Sequence, residues 1–309
     1  MRITTANAFD MSLANLQGRQ RQLADSQERL TSGKRVSKAS DDPTAAARAE
    51  RAMARMDRVD ANLRALDASR GAMQQTESAL GDAGELMQQL RENLVQAGNA
   101  GYTDAERGNL AVAMRGLRTQ LLSVANRSDG AGGFLFGGQG SATPPFVDAP
   151  GGVQFAGTTG ALRAATEEPM PLSIDGRAAW LGVPNPVAGA PDLSFFNTID
   201  TAIAQLETPG QTNANIIAAV HTGLGEVDAA MTHLSGWRAR TGEALRMADA
   251  IQMNQEDIKL SAQTERSAAE DVDMIKAISD FQGQQTGYEA ALKTYATIQR
   301  MSLFNYLTN

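Results

Sequence analysis

Cysteine is absent from this chain of 309 residues, and only two histidines are present. Without cysteine there can be no disulfide framework, zinc–thiolate site or cysteine nucleophile. His221 and His233 stand twelve residues apart, whereas two metal ligands on one turn of helix need a spacing of about three or four. The sequence therefore predicts no metal site and no cofactor.

Basic excess and long apolar runs are also missing. The net charge of −7 disfavours nonspecific binding to nucleic acid. No stretch approaches the roughly twenty apolar residues of a membrane helix, and residues 1–9 lack the apolar segment of a secretory signal. We expect a chain that binds neither nucleic acid nor membrane and that, if it leaves the cell, does so without a cleaved signal peptide.

Aromatic residues make up 5% of the chain and hydrophobic residues 42%, a balance that suits long helices packed by small and aliphatic side chains. Near the N-terminus, one apolar row repeats every seventh residue: Phe9, Leu16, Leu23 and Leu30. Its companion row begins with Leu13 but continues with Gln20 and Gln27. A helix this poor in apolar residues is marginal alone in water, so we expect it to need partner helices.

Between this helix and the next lies a predicted hinge. Ser32-Gly33-Lys34 ends the first helix, and the chain stays polar as far as Asp41. Asp42 is a favourable N-cap, and Pro43 suits the first helical position because it has no N–H to leave unpaired. We therefore assign Gly33, Asp42 and Pro43 to the hinge.

Long helices are predicted on both sides of the middle of the chain. The first runs from Pro43 to Ala97, although its glycines allow a break near Gly81–Gly84. Thr103 and Glu106 form a capping box that starts a helix folding back antiparallel. Further helices begin at about residue 193, and the last carries an apolar set that we assign, with the N-terminal row, to subunit interfaces: Ile278, Phe281, Tyr288, Leu292 and Tyr295.

Residues 131–191 differ, because they hold twelve glycines and eight of the ten prolines. Short β-type runs at 134–136, 152–155 and 172–174 predict a small β-rich insertion with a thin core that leans on the helices. The fold class is therefore mainly α: a long antiparallel coiled-coil or helical-bundle rod with this insertion. Three domains are predicted: 1–42 with 260–309 as terminal axial helices, 43–130 with 192–259 as the helical rod, and 131–191 as the insertion.

No catalytic constellation emerges. The glycine-rich segment 132–140 lacks the G-K-[ST] of a phosphate loop. The Glu167-Glu168 pair has no histidine or cysteine near it in sequence, so an enzyme carried by the insertion is disfavoured.

Residues 1–60 and 256–309 carry charges of opposite sign, which indicates either two solvated surfaces or pairing between the two ends. Thin apolar rows on terminal helices indicate an assembly protein whose isolated monomer is mobile before about residue 42 and after about residue 260.

The hinge also carries a family resemblance. Residues 28–36 (ERLTSGKRV) and 39–47 (ASDDPTAAA) resemble the corresponding segments of the flagellin family, and residues 288–307 are similar to its terminal helix. Within the family, residues 134–138 (FLFGG) and 302–307 (SLFNYL) look like the hook-associated proteins more than like filament flagellin.

The resemblance implies a structural protein of the extracellular bacterial flagellum, exported unfolded, that links the hook side to the filament. It implies as partners a ring of identical subunits, the first hook-associated protein, flagellin, and an export chaperone that binds the C-terminal segment. It also implies that residues 33–43 join an inner tube of terminal helices to an outer layer. Filament flagellin itself is the alternative.

Overall fold

The computed structural model describes the backbone of residues 2–307 and the side chains of residues 10–297. Its helices are α1 (Arg2–Ser32), α2 (Pro43–Ala97), α3 (Asp104–Ala125), α4 (Gly176–Trp180), α5 (Phe195–Glu207), α6 (Asn213–Glu270) and α7 (Met274–Leu307). Strands β1 (Phe146–Ala149) and β2 (Gly152–Phe155) form an antiparallel hairpin. The predicted class, mainly helical with a small β-containing insertion, is confirmed.

The chain divides into two compact units. Residues 60–256 form the central unit, and the chain before and after them forms the terminal unit. The boundaries fall inside α2 and α6. The predicted three-part division of the chain, at 42, 130, 191 and 259, remains a prediction.

In the central unit, α2 and α6 are antiparallel, because the ion pairs between them step in opposite directions along the two helices. These pairs are Arg70–Asp249, Glu77–Arg238 and Arg91–Asp228. The sevenfold row of α2 lies in the core as predicted, with exposures of 5% or less: Leu66, Met73, Leu80, Met87 and Leu94. The capping box of α3 is confirmed, since the Thr103 N–H donates to Glu106 Oε2 at 2.6 Å and the Glu106 N–H donates to Thr103 Oγ1 at 3.3 Å.

The insertion leans on the helices through an aromatic cluster. The Trp180 ring lies 5.4 Å from Phe195 and 6.0 Å from Phe196 of α5, and 5.3 Å from Phe136. Of the three predicted β runs, 152–155 is a strand. Residues 134–136 and 172–174 lie outside the two strands. The Leu135 N–H donates to the Arg127 carbonyl, whereas the Ile174 N–H donates to the Leu135 carbonyl. These bonds join different segments and do not form a continuous strand ladder.

The break allowed at Gly81–Gly84 is wrong, since α2 is continuous from Pro43 to Ala97. Each glycine costs at most about 1 kcal/mol relative to alanine. Leu80 is 0% exposed, and burying a leucine side chain contributes about 1.5–3 kcal/mol. Tertiary packing therefore outweighs local propensity here.

Candidate assembly interface

The terminal unit contains α1, the first part of α2, the last part of α6, and α7. Two interruptions separate these helices: residues 33–42 between α1 and α2, and residues 271–273 between α6 and α7. The two interruptions lie side by side. The predicted hinge is therefore one half of a paired structure.

Gly33 ends α1. Its N–H donates to the Arg29 carbonyl at 3.0 Å, and its φ is +71°. No atom lies within 4 Å of the place a Cβ would occupy, so the left-handed backbone alone favours glycine here. The Gly33 carbonyl then accepts from the Val272 N–H at 3.0 Å, which ties the first interruption to the second.

The strand-like segment after Gly33 continues this tie. The N–H groups of Arg35 and Val36 both donate to the Glu270 carbonyl, at 2.7 and 3.3 Å. The Arg35 guanidinium donates to the Ala269 carbonyl at 2.7 Å. Val36 is 6% exposed, so one apolar side chain is buried at the centre of the paired hinge.

Ion pairs join the first interruption to the end of α6 at the same place. Glu270 accepts from Lys34 at 3.2 Å and from Arg266 at 2.7 Å. Its side chain is 14% exposed, so the two cations compensate much of the cost of burying it. Arg35 reaches from this cluster to the Asp42 carboxylate at 3.4 Å.

Asp42 caps α2 as predicted. Its Oδ1 accepts from the Ala45 N–H at 3.0 Å and from the Thr44 hydroxyl at 2.7 Å. The backbone donor, then the hydroxyl, then Arg35 lower the pKa of Asp42 from 3.8 to about 2. Asp41 turns the chain just before it, accepting from the Lys38 N–H at 2.9 Å, and the N–H donors of Lys38 and Ser37 lower the pKa of Asp41. Both carboxylates hold the restart of the helix by local bonds.

The predicted interface residues lie on two helices that pack against each other. Leu16, Leu23 and Leu30 of α1 are half-buried, as are Phe281, Tyr288 and Tyr295 of α7. Ile278 and Leu292 are exposed, at 46% and 40%. The side chain of Phe9 lies outside the described residues. Among residues 10–32 and 274–297, no side chain is buried.

More apolar surface remains uncovered on the same helices than the sequence indicated. Ile275 is 85% exposed, Met11 62% and Met274 46%. Gln284 Oε1 is enclosed without a hydrogen-bond partner. The contact between α1 and α7 therefore leaves large apolar side chains in water and one polar atom unpaired. Such a surface is typical of helices that bind a further partner.

The sequence predicts a separate last helix after a polar region, but it did not place the short interruption at residues 271–273. Asp273 caps α7, because its Oδ1 accepts from the N–H groups of Ile275 and Lys276 at 3.0 and 3.2 Å. An aspartate two or three residues before a helical row is an N-cap signal. The signal was available in Asp271-Val272-Asp273, but the polar region before it obscured the end of α6.

Within the part of the chain that the structure describes, no helix is long and apolar enough to span a membrane. Nor does that part hold a cluster of histidine and acidic side chains suited to a metal ion. The features of this site are the exposed surfaces of α1 and α7 and the two paired interruptions, residues 33–42 and 271–273.

The chain is similar in sequence to proteins of the bacterial flagellum. Residues 3–141 match the bacterial flagellin N-terminal helical region, and the resemblance predicted from the hinge motifs is confirmed. The chain is also similar to flagellar hook-associated protein 3 of Salmonella typhimurium, with 28% identity over 313 residues that cover 98% of this chain and 99% of that protein.

A solved structure and a flagellin complete the comparison. The crystal structure of the flagellar junction protein of Legionella pneumophila has the same fold, with a TM-score of 0.61 at 17% identity over 72% of this chain and all of that one. Flagellin FlaB1 of Treponema pallidum is 25% identical over 215 residues, 70% of this chain and 67% of that protein. The similarity to the hook-associated protein therefore extends further along the chain than the similarity to this flagellin.

Proposed function

We propose that this chain is a structural component of the bacterial flagellum, a hook-associated protein that joins the hook side to the flagellin filament. The observation that carries the proposal is the similarity to flagellar hook-associated protein 3 over 98% of this chain and 99% of that protein. No catalytic activity is part of it.

The terminal unit supplies the means of assembly. Ile275 and Ile278 lie one turn apart on α7 and stay 85% and 46% exposed in a single copy. Burying one such side chain contributes about 1.5–3 kcal/mol, and a closed ring repeats that gain at every subunit. Neighbouring copies of α1 and α7 are the surfaces that cover these residues.

The assembly has a defined place and defined partners. Identical subunits form a ring at the hook–filament junction outside the cell, between the first hook-associated protein and flagellin. Before export, a cytoplasmic chaperone covers the apolar surface of the C-terminal segment, which includes Met274, Ile275 and Ile278.

Deletion of the gene tests the role. The expected result is that hooks remain and flagellin is shed into the medium, because the filament has nothing to attach to. Loss of the filament together with its only flagellin from the medium would make the chain the filament flagellin instead. Return of the wild-type gene restores attached filaments.

The surface is tested by Ile275→Asp with Ile278→Asp. The double variant is expected to leave cells without attached filaments, and its amount in the medium separates a defect in assembly from a defect in export. Val187→Asp is the matched control, because Val187 is 65% exposed in the central unit and its change leaves filaments intact. Normal filaments with the double variant would refute the assembly role of this surface.

A further inference from the structure

The first part of α2 carries opposite charges on its two sides. One face is buried, through Ala45, Ala49, Ala52 and Val59. At about 100° per residue, Arg48, Arg51 and Arg58 lie to one side of this face, and Glu50 and Asp57 lie to the other. The outward surface between the two sides is formed by Ala47 and Ala54, whose small side chains leave room for close approach.

Among the described residues, none of these five charges has a partner of opposite sign in its own chain. All five are exposed, and within the described residues no ion pair involves Arg48, Arg58, Glu50 or Asp57. The Nε of Arg51 donates to the Ala47 carbonyl of its own helix at 3.1 Å. Arg55, between them, pairs instead with Glu265 of α6 at 3.2 Å. The two charged sides are therefore available to another molecule.

The spacing of the two sides matches. Arg51 and Arg58 are seven residues apart, and so are Glu50 and Asp57, which places the members of each pair about 10.5 Å apart along the helix. If two copies of α2 stand side by side and parallel, an offset of one residue, about 1.5 Å, sets Arg51 opposite Glu50 and Arg58 opposite Asp57. An antiparallel, two-fold arrangement would instead set arginine against arginine.

We propose that this segment joins neighbouring copies of the chain, in parallel, with the basic side of one copy against the acidic side of the next. The inference rests on the proposed function, since it names the contact between subunits of the ring. Such an interface uses two different patches and repeats from copy to copy, so it closes into a ring or continues as a helix. Exposed pairs are individually weak; they act here by setting register and rejecting the opposite orientation.

Charge reversal provides the test, in cells that lack the chromosomal gene. Arg51→Glu with Arg58→Glu makes both sides acidic, and Glu50→Arg with Asp57→Arg makes both sides basic. Each variant alone sets like charges against each other at every contact, and we expect attached filaments to fall about tenfold or more. Expressed together, the two variants can alternate around the assembly, and filaments are expected to return.

Controls separate this contact from folding, export and the proposed function. Arg163→Glu with Arg177→Glu makes the same change of charge at exposed positions of the insertion and should leave filaments intact. Thermal unfolding of each purified variant checks the fold, and its amount in the medium checks export. If the wild-type gene restores filaments but the reversed variants do so equally well alone, the inference is overturned. It is also overturned if two folded, exported variants fail together. Failure of the wild-type gene itself to restore filaments would overturn the proposed function instead.

Discussion

The two units of the chain bury different kinds of side chain. The twelve largest fully buried side chains of the described residues, Trp180 and Phe136 among them, all lie in the central unit. Among the described residues of the terminal unit, the buried apolar ones are small or β-branched: Val36, Ala45, Ala49, Ala52, Val59, Ala262 and Ala269. The central unit therefore has a core of large side chains, and the described part of the terminal unit buries none of comparable size.

The largest expected difference is in the stability lost when a buried residue of the central unit, or a half-buried residue of the terminal unit, is changed to alanine. Trp180→Ala should lower the free energy of unfolding of the isolated chain by about 3–5 kcal/mol, because it empties a large site between α5 and the insertion. Leu23→Ala, on half-buried α1, should change it by less than about 0.5 kcal/mol. Urea unfolding followed by circular dichroism measures both. Equal losses would contradict the comparison.

A smaller effect is expected within the terminal unit itself. Gly33→Ala should lower the temperature at which assembled copies dissociate, because a left-handed φ of +71° costs an alanine about 1–2 kcal/mol. Gly18→Ala makes the same chemical change in the interior of α1, where nothing lies within 4 Å of the new Cβ, and should raise helix stability by up to about 1 kcal/mol. A fall of similar size for both variants would show that the left-handed backbone of Gly33 has no special part in assembly.

The smallest effect is a titration. Because the pKa of Asp42 is lowered to about 2, its cap stabilises the folded state fully above the ordinary value of about 4 and loses this contribution as the pH falls toward 2. Thr44→Val and Arg35→Gln should each raise the pKa of Asp42, since the hydroxyl and the guanidinium both lower it. Carboxyl chemical shifts against pH measure this. An unchanged pKa in both variants would show that neither side chain stabilises the ionised cap.

Regular periodicity and capping chemistry were readable from the sequence. The row from Leu66 to Leu94 repeats every seventh residue and forms the core of α2, and Thr103 with Glu106 specifies the start of α3. Gly33 and Asp42 marked the hinge, since each fills a local backbone role that few residues fill. These features depend on residues that are close together in the sequence, so the sequence alone is enough to predict them.

Long-range partners were not readable. The Glu270 carbonyl bonds to Arg35 and Val36 from more than two hundred residues away, and no local pattern announces that the second interruption lies beside the first. Residues 134–136 have β-type composition but no partner strand, because the segments beside them make only isolated backbone hydrogen bonds with them. The interface roles of Leu16, Leu23 and Ile278 remain predictions, since they concern molecules other than this one.

Amide hydrogen exchange on dilute monomer, compared with the assembled state, measures whether the terminal helices depend on neighbouring copies. We expect fast exchange in α1 and α7 of the monomer, slow exchange in the central stretch of α2 and in α3, and strong protection of α1 and α7 only after assembly. Strong protection of α1 and α7 in the dilute monomer would contradict this expectation, because the terminal unit would then be stable without neighbours.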